Sequence, residues 1–400
     1  MMVTRRLKDL GTFKTGLTYS PDNLCEENNG VLVLRSSNIK EGKLSFIDNV
    51  YVDLSLSNKM LVKKGDIIIC SRNGSANLVG KTAVIDSDIV ASWGAFMMLF
   101  RTKHNSRYLN YLLNVYITKN KGLFATSTIN QLTNSMLGNI YVDFVENINE
   151  QDKIADYLDE KTKAIDTRIS MLEKKSEAYK RLKASVINRA VTRGLNPDVT
   201  VIDSGIEWIG MIPEHWEIKR YKEFITLQKG KTPKELSYES VGLPYLTMDY
   251  LRDRDGKSTV YPESVEGLLE ISENEIIVLW DGANAGEFIK SKAGYLGSTM
   301  ALLLTKGISK NYLYYFLKSI ERDSKYYSNG TTIPHFDSGI LLNREYPVPP
   351  YSEQQAIANY LDAKCSEIDK AIVNIDKQID ALNRLKRSLI NEVVTGKRKV

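Results

Sequence analysis

Apolar residues return at every seventh position between Glu150 and Thr192: Leu158, Ile165, Leu172, Tyr179 and Val186, with Ile169 widening the stripe. No Pro or Gly interrupts the stretch, and Ala, Lys, Glu and Leu dominate it. Strong helix formers carrying a seven-residue apolar repeat predict one long helix with a coiled-coil seam. The pattern then recurs. Glu353 to Thr395 aligns with the first stretch without a gap at an offset of 203, with about half the positions identical. Its seam is Leu361, Ile368, Ile375, Leu382 and Leu389, flanked three residues earlier by Cys365, Ile372 and Ile379. Two helices with one seam each can bury those seams against each other. The first copy carries Thr162 and Ser176 at flanking places, so each helix is expected to need the other.

Elsewhere the period shortens. Val31–Leu34, Asp66–Cys70, Thr82–Ile85 and Ala95–Phe100 are short β-rich runs separated by turn residues. Tyr108 to Tyr116 places Leu109, Leu112 and Leu113 on one helical face, and a last strand is predicted near Ile140–Val145. After Gly194-Leu-Asn-Pro197 stops the first long helix, the same order of elements returns with weaker identity. Lys14-Thr-Gly16 has a counterpart in Gln228-Lys-Gly230, and Gly65–Ile69 in Asn274–Val278. Tyr108–Leu113 corresponds to Tyr312–Leu317, and Thr128-Ile129 to Thr332-Ile333. The expected fold is α+β, with two β-rich globular units separated by two long helices that pair antiparallel. Its parts are a globular unit over 1–149, a helix over 150–193, a second unit over 194–352 and a second helix over 353–400.

Composition narrows the class. A hydrophobic fraction of 42% and a charged fraction of 26% suit a globular chain. No apolar run approaches the roughly 18 residues that cross a bilayer, and no apolar segment follows the basic start MMVTRRLKDLG, so a cytoplasmic protein without membrane association is expected. Cys25, Cys70 and Cys365 lie far apart, which fits neither a disulfide framework nor a zinc site. The net charge of +5 permits nucleic-acid binding, and seven Lys or Arg against Glu177 alone crowd the span from Lys174 to Arg193. Cations at a helix C-terminus also suit its dipole, so this cluster has two readings.

Several catalytic patterns fail on inspection. Gly74 to Thr82 resembles a phosphate-binding loop but has five residues between its glycines, and it runs into a strand pattern instead of a helix. Asp198 with Glu217-Ile-Lys219 has nuclease-like residue types in a linker. Val348-Pro-Pro-Tyr351 lacks the polar residue that an amino-methyltransferase needs. His104, His215 and His335 share no metal-ligand spacing, and no Gly-x-Ser-x-Gly elbow is present. The loops instead supply side chains that pair with base edges and phosphates. In the first unit these are Arg35, Ser36, Asn38, Arg72, Asn73, Asn77, Lys81, Thr128, Asn130 and Gln131. In the second they are Lys229, Lys231, Thr232, Tyr245, Asp249, Tyr250, Arg252, Trp280, Asn284, Thr331, Thr332 and His335.

With these motifs in view, the chain resembles the specificity subunit of type I restriction–modification systems over nearly its whole length. The resemblance rests on Asp203-Ser-Gly-Ile-Glu-Trp-Ile-Gly, Ile212-Pro-Glu-His-Trp216, Val348-Pro-Pro-x-x-Glu-Gln354 and the two repeated helices. It departs in the first unit, which starts near Arg5-Arg-Leu-Lys without an Ile-Pro-x-x-Trp lead-in and enters its helix without prolines. The resemblance implies a non-catalytic reader of double-stranded DNA, each unit recognising one half of a gapped asymmetric target. It also implies docking of two methyltransferase subunits on the helices, with restriction subunits added. S-adenosylmethionine, ATP and Mg would then sit on those partners, leaving no cofactor or metal in this chain. A helix of this length spans roughly 60 Å, and half-sites on one face of a duplex lie about 34 Å or a multiple apart. The alternatives are a fused methyltransferase or endonuclease acting alone, for which no motif is complete, and a coiled-coil scaffold, which leaves two divergent β-rich units unexplained.

Overall fold

The computed structural model describes residues 2–123, 131–207, 209–253, 258–326 and 334–400. The chain divides into two compact units, one of Met1–Glu173 with Lys377–Val400 and the other of Lys174–Asp376. Both boundaries cut through the long helices, Ile148–Arg193 and Tyr351–Val394. Each unit therefore contains the start of one long helix and the end of the other.

The first unit is built on an antiparallel sheet in the order Gly11–Thr15, Met97–Thr102, Ile67–Cys70, Thr82–Val84. Ile67–Cys70 is buried at all four positions. Ile67 and Ile69 face a cluster with Leu109, Leu112 and Leu113 of helix Ser106–Lys119. Ile68 and Cys70 face the opposite cluster, with Leu32, Leu34 and Trp93 of a smaller sheet. A strand covered on both faces has no polar face, so it reads as an unbroken apolar run. The smaller sheet contains the one parallel pairing in this unit's described strands, Ala91–Trp93 with Val31–Leu34. Among the strands that the sequence left unassigned are Gly11–Thr15, Ala91–Trp93 and Met2–Arg6, which pairs with Tyr141–Val145.

The second unit repeats this plan. Its sheet runs Ile225–Lys229, Met300–Thr305, Ile276–Leu279, Phe288–Lys290. Ile276 and Val278 enter one core cluster while Ile277 and Leu279 enter the other. Glu217–Arg220 pairs with Glu345–Val348 as Met2–Arg6 does with Tyr141–Val145. The first unit thus has the same strand pair although its lead-in motif is missing. In the second unit that motif is anchored to the long helix. Trp216 donates its indole N–H to Glu353 at 3.1 Å, and His215 lies 2.8 Å from the same oxygen.

Each long helix is locked to its own globular body by one buried glutamine. Gln151 accepts from the Asn105 N–H (3.0 Å) and donates to the Val145 carbonyl (2.7 Å). Gln354 accepts from the Ser309 N–H (2.7 Å) and donates to the Pro349 carbonyl (2.8 Å). A tyrosine from the shorter helix adds a second bond, Tyr111 to Asp159 (2.8 Å) and Tyr315 to Asp362 (2.6 Å).

The helices meet within each unit through the same residues with roles exchanged. In the first unit Lys386 of the second helix bonds Asp166 of the first at 2.6 Å. In the second unit Lys183 of the first helix bonds Asp369 of the second at 2.7 Å. Asp166 and Asp369, and Lys183 and Lys386, are equivalents at the 203-residue offset. An antiparallel pair of related helices makes each contact twice in this way. Along the seam, Leu158, Leu361, Ile368, Ile375 and Leu389 are buried. Ile165, Ile169, Leu172, Tyr179, Val186, Ile372, Ile379 and Leu382 are half-buried. Leu158 and Leu361 also belong to the cores of the globular bodies. Thr162 and Ser176 are buried as well, and the Thr162 hydroxyl lies 3.1 Å from the Tyr111 hydroxyl, so this polar position has a partner inside the chain.

Candidate nucleic-acid interface

In both units part of the candidate set gathers where the buried central strand leaves the sheet. After Cys70 the chain emerges as Ser71-Arg72-Asn73, and after Leu279 as Trp280-Asp281. The hydrogen bonding around the two exits matches. The Ser71 and Arg72 N–H groups donate to the Phe96 carbonyl, as those of Trp280 and Asp281 donate to Thr299. Arg72 bridges to Gln131, and Asp281 to His335. A glycine beside each exit permits the approach of a neighbouring loop. A Cβ on Gly16 would overlap the Gly94 carbonyl oxygen, and one on Gly230 would overlap that of Gly297. That explains why Lys14-Thr-Gly16 and Gln228-Lys-Gly230 correspond.

In the first unit these loops enclose an open cleft of about 930 Å³, lined in part by Tyr19, Arg35, Ser36, Arg72, Asn73 and Phe96. Four of the six were expected from sequence, and Tyr19 and Phe96 were not. The Arg72 guanidinium lies over the Phe96 ring, 5.1 Å from its centroid. Asn73 donates to the Ser36 hydroxyl at 3.2 Å, and Arg35 pairs with Asp48 at 3.0 Å. Asn38 corrects an expectation. It is buried, accepts from the Arg35 N–H (2.9 Å) and donates to the Ser45 carbonyl (2.9 Å), so it shapes the loop from inside. Asn77 is exposed and Lys81 half-buried, and neither lines the cleft. Thr128 and Asn130 lie outside the described residues.

In the second unit Lys229 lies over the Trp280 ring at 5.1 Å and 3.4 Å from Asp281. The other Asp281 oxygen is 2.5 Å from His335. Thr232 donates to the Ser298 hydroxyl at 2.8 Å. Tyr245 is a second correction. It is buried, with its hydroxyl donating to the Lys231 carbonyl (3.3 Å) and accepting from the Ser298 N–H (3.2 Å). It supports the loop that presents Lys231 and Thr232. Arg252 is paired with Glu287 at 2.5 Å. Lys292 lies over the Tyr250 ring and donates to the Tyr250 carbonyl. Asp249 and Asn284 are exposed without a side-chain bond to the Trp280 group. Thr331 and Thr332, like Trp208 of the lead-in motif, lie outside the described residues.

The loop from Gly74 to Thr82 differs from a phosphate-binding loop in its geometry. Gly80 has φ +84° and leads into strand Thr82–Val84, whose Thr82 hydroxyl donates to Asn110, so no helix N-terminus faces a phosphate there. All three cysteines are free, and burial pushes the Cys70 thiol up to about 11. Among the described residues no group of three His, Cys, Asp or Glu could hold a metal ion, and no helix is long and apolar enough to cross a membrane.

A repeated scaffold that presents different polar side chains from one sheet end in each copy defines a two-part recognition protein. Comparison with known proteins identifies its family. The profile of the type I restriction modification DNA specificity domain matches residues 1–174 and 213–394. The chain belongs to this family, whose members are the DNA specificity subunits of type I restriction–modification systems. The MjaVIII specificity subunit of Methanocaldococcus jannaschii is 39% identical over 188 residues, covering 46% of this chain and 43% of that protein. A candidate specificity subunit of MjaX from the same organism is 24% identical over 421 aligned positions, covering 99% of this chain and 93% of that one. Among solved structures, a chain described in the assembly and conformational transition of the type I R-M system superposes with a TM-score of 0.74. Its identity is 15%, with 99% of this chain and 98% of that one covered. The HsdS subunit from Thermoanaerobacter tengcongensis superposes at 0.50 with 15% identity, covering 99% of this chain and 97% of that one. At such identities these two likenesses describe the fold.

Proposed function

We propose that each unit reads one half of a gapped, asymmetric DNA duplex and that the chain performs no bond-breaking chemistry itself. The observation that carries this reading is the repeated sheet exit. One scaffold presents Arg35, Ser36, Arg72, Asn73 and Gln131 in the first unit, and Lys229, Lys231, Thr232, Trp280 and His335 in the second. Two copies of one reader with different side chains match a target with two different halves. In the same reading the paired helices dock two methyltransferase subunits, and restriction subunits join that complex. S-adenosylmethionine, ATP and Mg belong to those partners, and the complex works in the cytoplasm. The absence of a catalytic role rests on the want of any complete catalytic motif in the sequence.

Selection from a random duplex library tests the proposal, using the full chain alone and with a type I modification subunit. The expected outcome is a bipartite sequence with a fixed gap, and adenine methylation at that sequence only when the modification subunit is present. Retention of all duplexes alike would overturn the reading, as would methyl transfer or cleavage by the chain alone.

A further inference from the structure

The first unit's globular body, residues 2–147, has six arginines, and five are ion-paired. Arg5 pairs with Glu146, Arg6 with Asp9, Arg35 with Asp48, Arg101 with Asp66, and Arg107 with Asp156 and Asp159. Among the described residues Arg72 has no carboxylate partner and its guanidinium makes no hydrogen bond. It lines the cleft and lies over Phe96, a residue 59% exposed. The backbones of the two residues are joined as well, because the Arg72 N–H donates to the Phe96 carbonyl at 3.1 Å. A guanidinium placed over an aromatic face is attracted to it and gives up part of its rotamer freedom before any partner arrives, while its fork of N–H donors stays available to an acceptor.

Resting on the DNA-reading function proposed above, we propose that Arg72 is a specificity-determining residue that reads a guanine in the first unit's half-site. In the major groove guanine presents two acceptors, O6 and N7, side by side. A planar fork of N–H donors matches that pair with two hydrogen bonds, and no other base offers the same edge. Phe96 is the positioning residue, holding the guanidinium at the cleft from the face of its ring. The assignment holds for one half-site alone. At the equivalent sheet exit the second unit carries Asp281, an acceptor engaged by Lys229 and His335, which cannot donate to guanine O6 and N7.

The test is duplex-library selection with the full chain and a modification subunit, comparing wild type with Arg72→Ala, Arg72→Lys, Phe96→Leu and Phe96→Tyr. Circular dichroism and melting establish that each variant is folded. Wild type should require a G·C pair at one position of one half-site. Arg72→Ala should lower that preference by about 5- to 150-fold, the range set by loss of one bidentate base contact, while the other half-site stays unchanged. Arg72→Lys should keep part of the preference. Phe96→Leu should weaken it with Arg72 intact, and Phe96→Tyr should preserve it. A uniform fall in affinity over all sequences, with the salt slope reduced by about one, would make Arg72 a phosphate contact and overturn the assignment. Relaxation at an A·T position would overturn it too. A wild-type chain with no sequence preference would instead refute the DNA-reading function on which the assignment rests.

Discussion

The two buried glutamines allow a quantitative test of the repeat. Gln151→Leu keeps the volume of the side chain but removes an acceptor from the Asn105 N–H and a donor from the Val145 carbonyl. Gln151 is fully buried, so water does not readily replace the lost carboxamide. A buried backbone group left unsatisfied costs about 1–3 kcal/mol, and two are orphaned, giving about 2–6 kcal/mol before relaxation. Gln354→Leu orphans the Ser309 N–H and the Pro349 carbonyl in the same manner, so its cost should fall in the same range. Urea unfolding of both variants measures these costs. Hydrogen exchange then locates them, because each glutamine joins a long helix to its own globular body. Gln151→Leu should raise exchange in helix Ser106–Lys119, and Gln354→Leu in helix Lys310–Tyr326. A loss under about 1 kcal/mol in either variant would mean that the glutamine does not lock its helix to the globular body.

Three further outcomes follow from the geometry. Asp166→Lys should weaken stability by about 1 kcal/mol or less, since the pair with Lys386 is exposed, and the double exchange Asp166→Lys with Lys386→Asp should recover it in low-salt melts. Gly16→Ala has no space for its Cβ against the Gly94 carbonyl, so it should cost about 1–3 kcal/mol in denaturant unfolding and lower DNA affinity, because the strand and the cleft wall must separate. Burial above all pushes the Tyr108 hydroxyl up to about 12, against about 10 in an unfolded chain. Its contribution is fully present below pH 10 and is lost as pH rises through 12, because the unfolded chain releases that proton first. The loss amounts to about 2–3 kcal/mol. Tyr108→Phe removes the acceptor of the Val145 N–H and should start less stable at pH 9, then lose less between pH 10 and 12 in urea titrations.

Much of the architecture was legible along the chain because helices and buried strands obey local rules. A seven-residue apolar repeat announces a long helix wherever it occurs, and its recurrence 203 residues later announced the duplication. Ile67–Cys70 stood out as a strand because both of its faces are buried. Met2–Arg6 did not, since its half-exposed residues carry no apolar alternation and it is held by a partner more than 130 residues away. The helix pairing was partly legible: the seam identified its faces, while the exchanged Asp–Lys contacts needed the antiparallel register.

The candidate site divides along the same line. Arg, Asn, Ser and Lys in loops are visible to any reader of the sequence, but a polar loop residue looks the same whether it turns inward or outward. Tertiary structure turned Asn38 and Tyr245 inward and gathered Arg35, Ser36, Arg72 and Asn73 around one cleft. It also brought in Phe96, whose value as a platform depends on Arg72 standing above it. The sequence alone determined the two long helices, the buried central strands and the recurrence of the plan, because those properties depend on residues close along the chain. Tertiary structure alone decided which arginine of the first unit's globular body is left unpaired among the described residues, because the carboxylates that pair with its other five are brought close by the fold or a local turn and none is brought to Arg72.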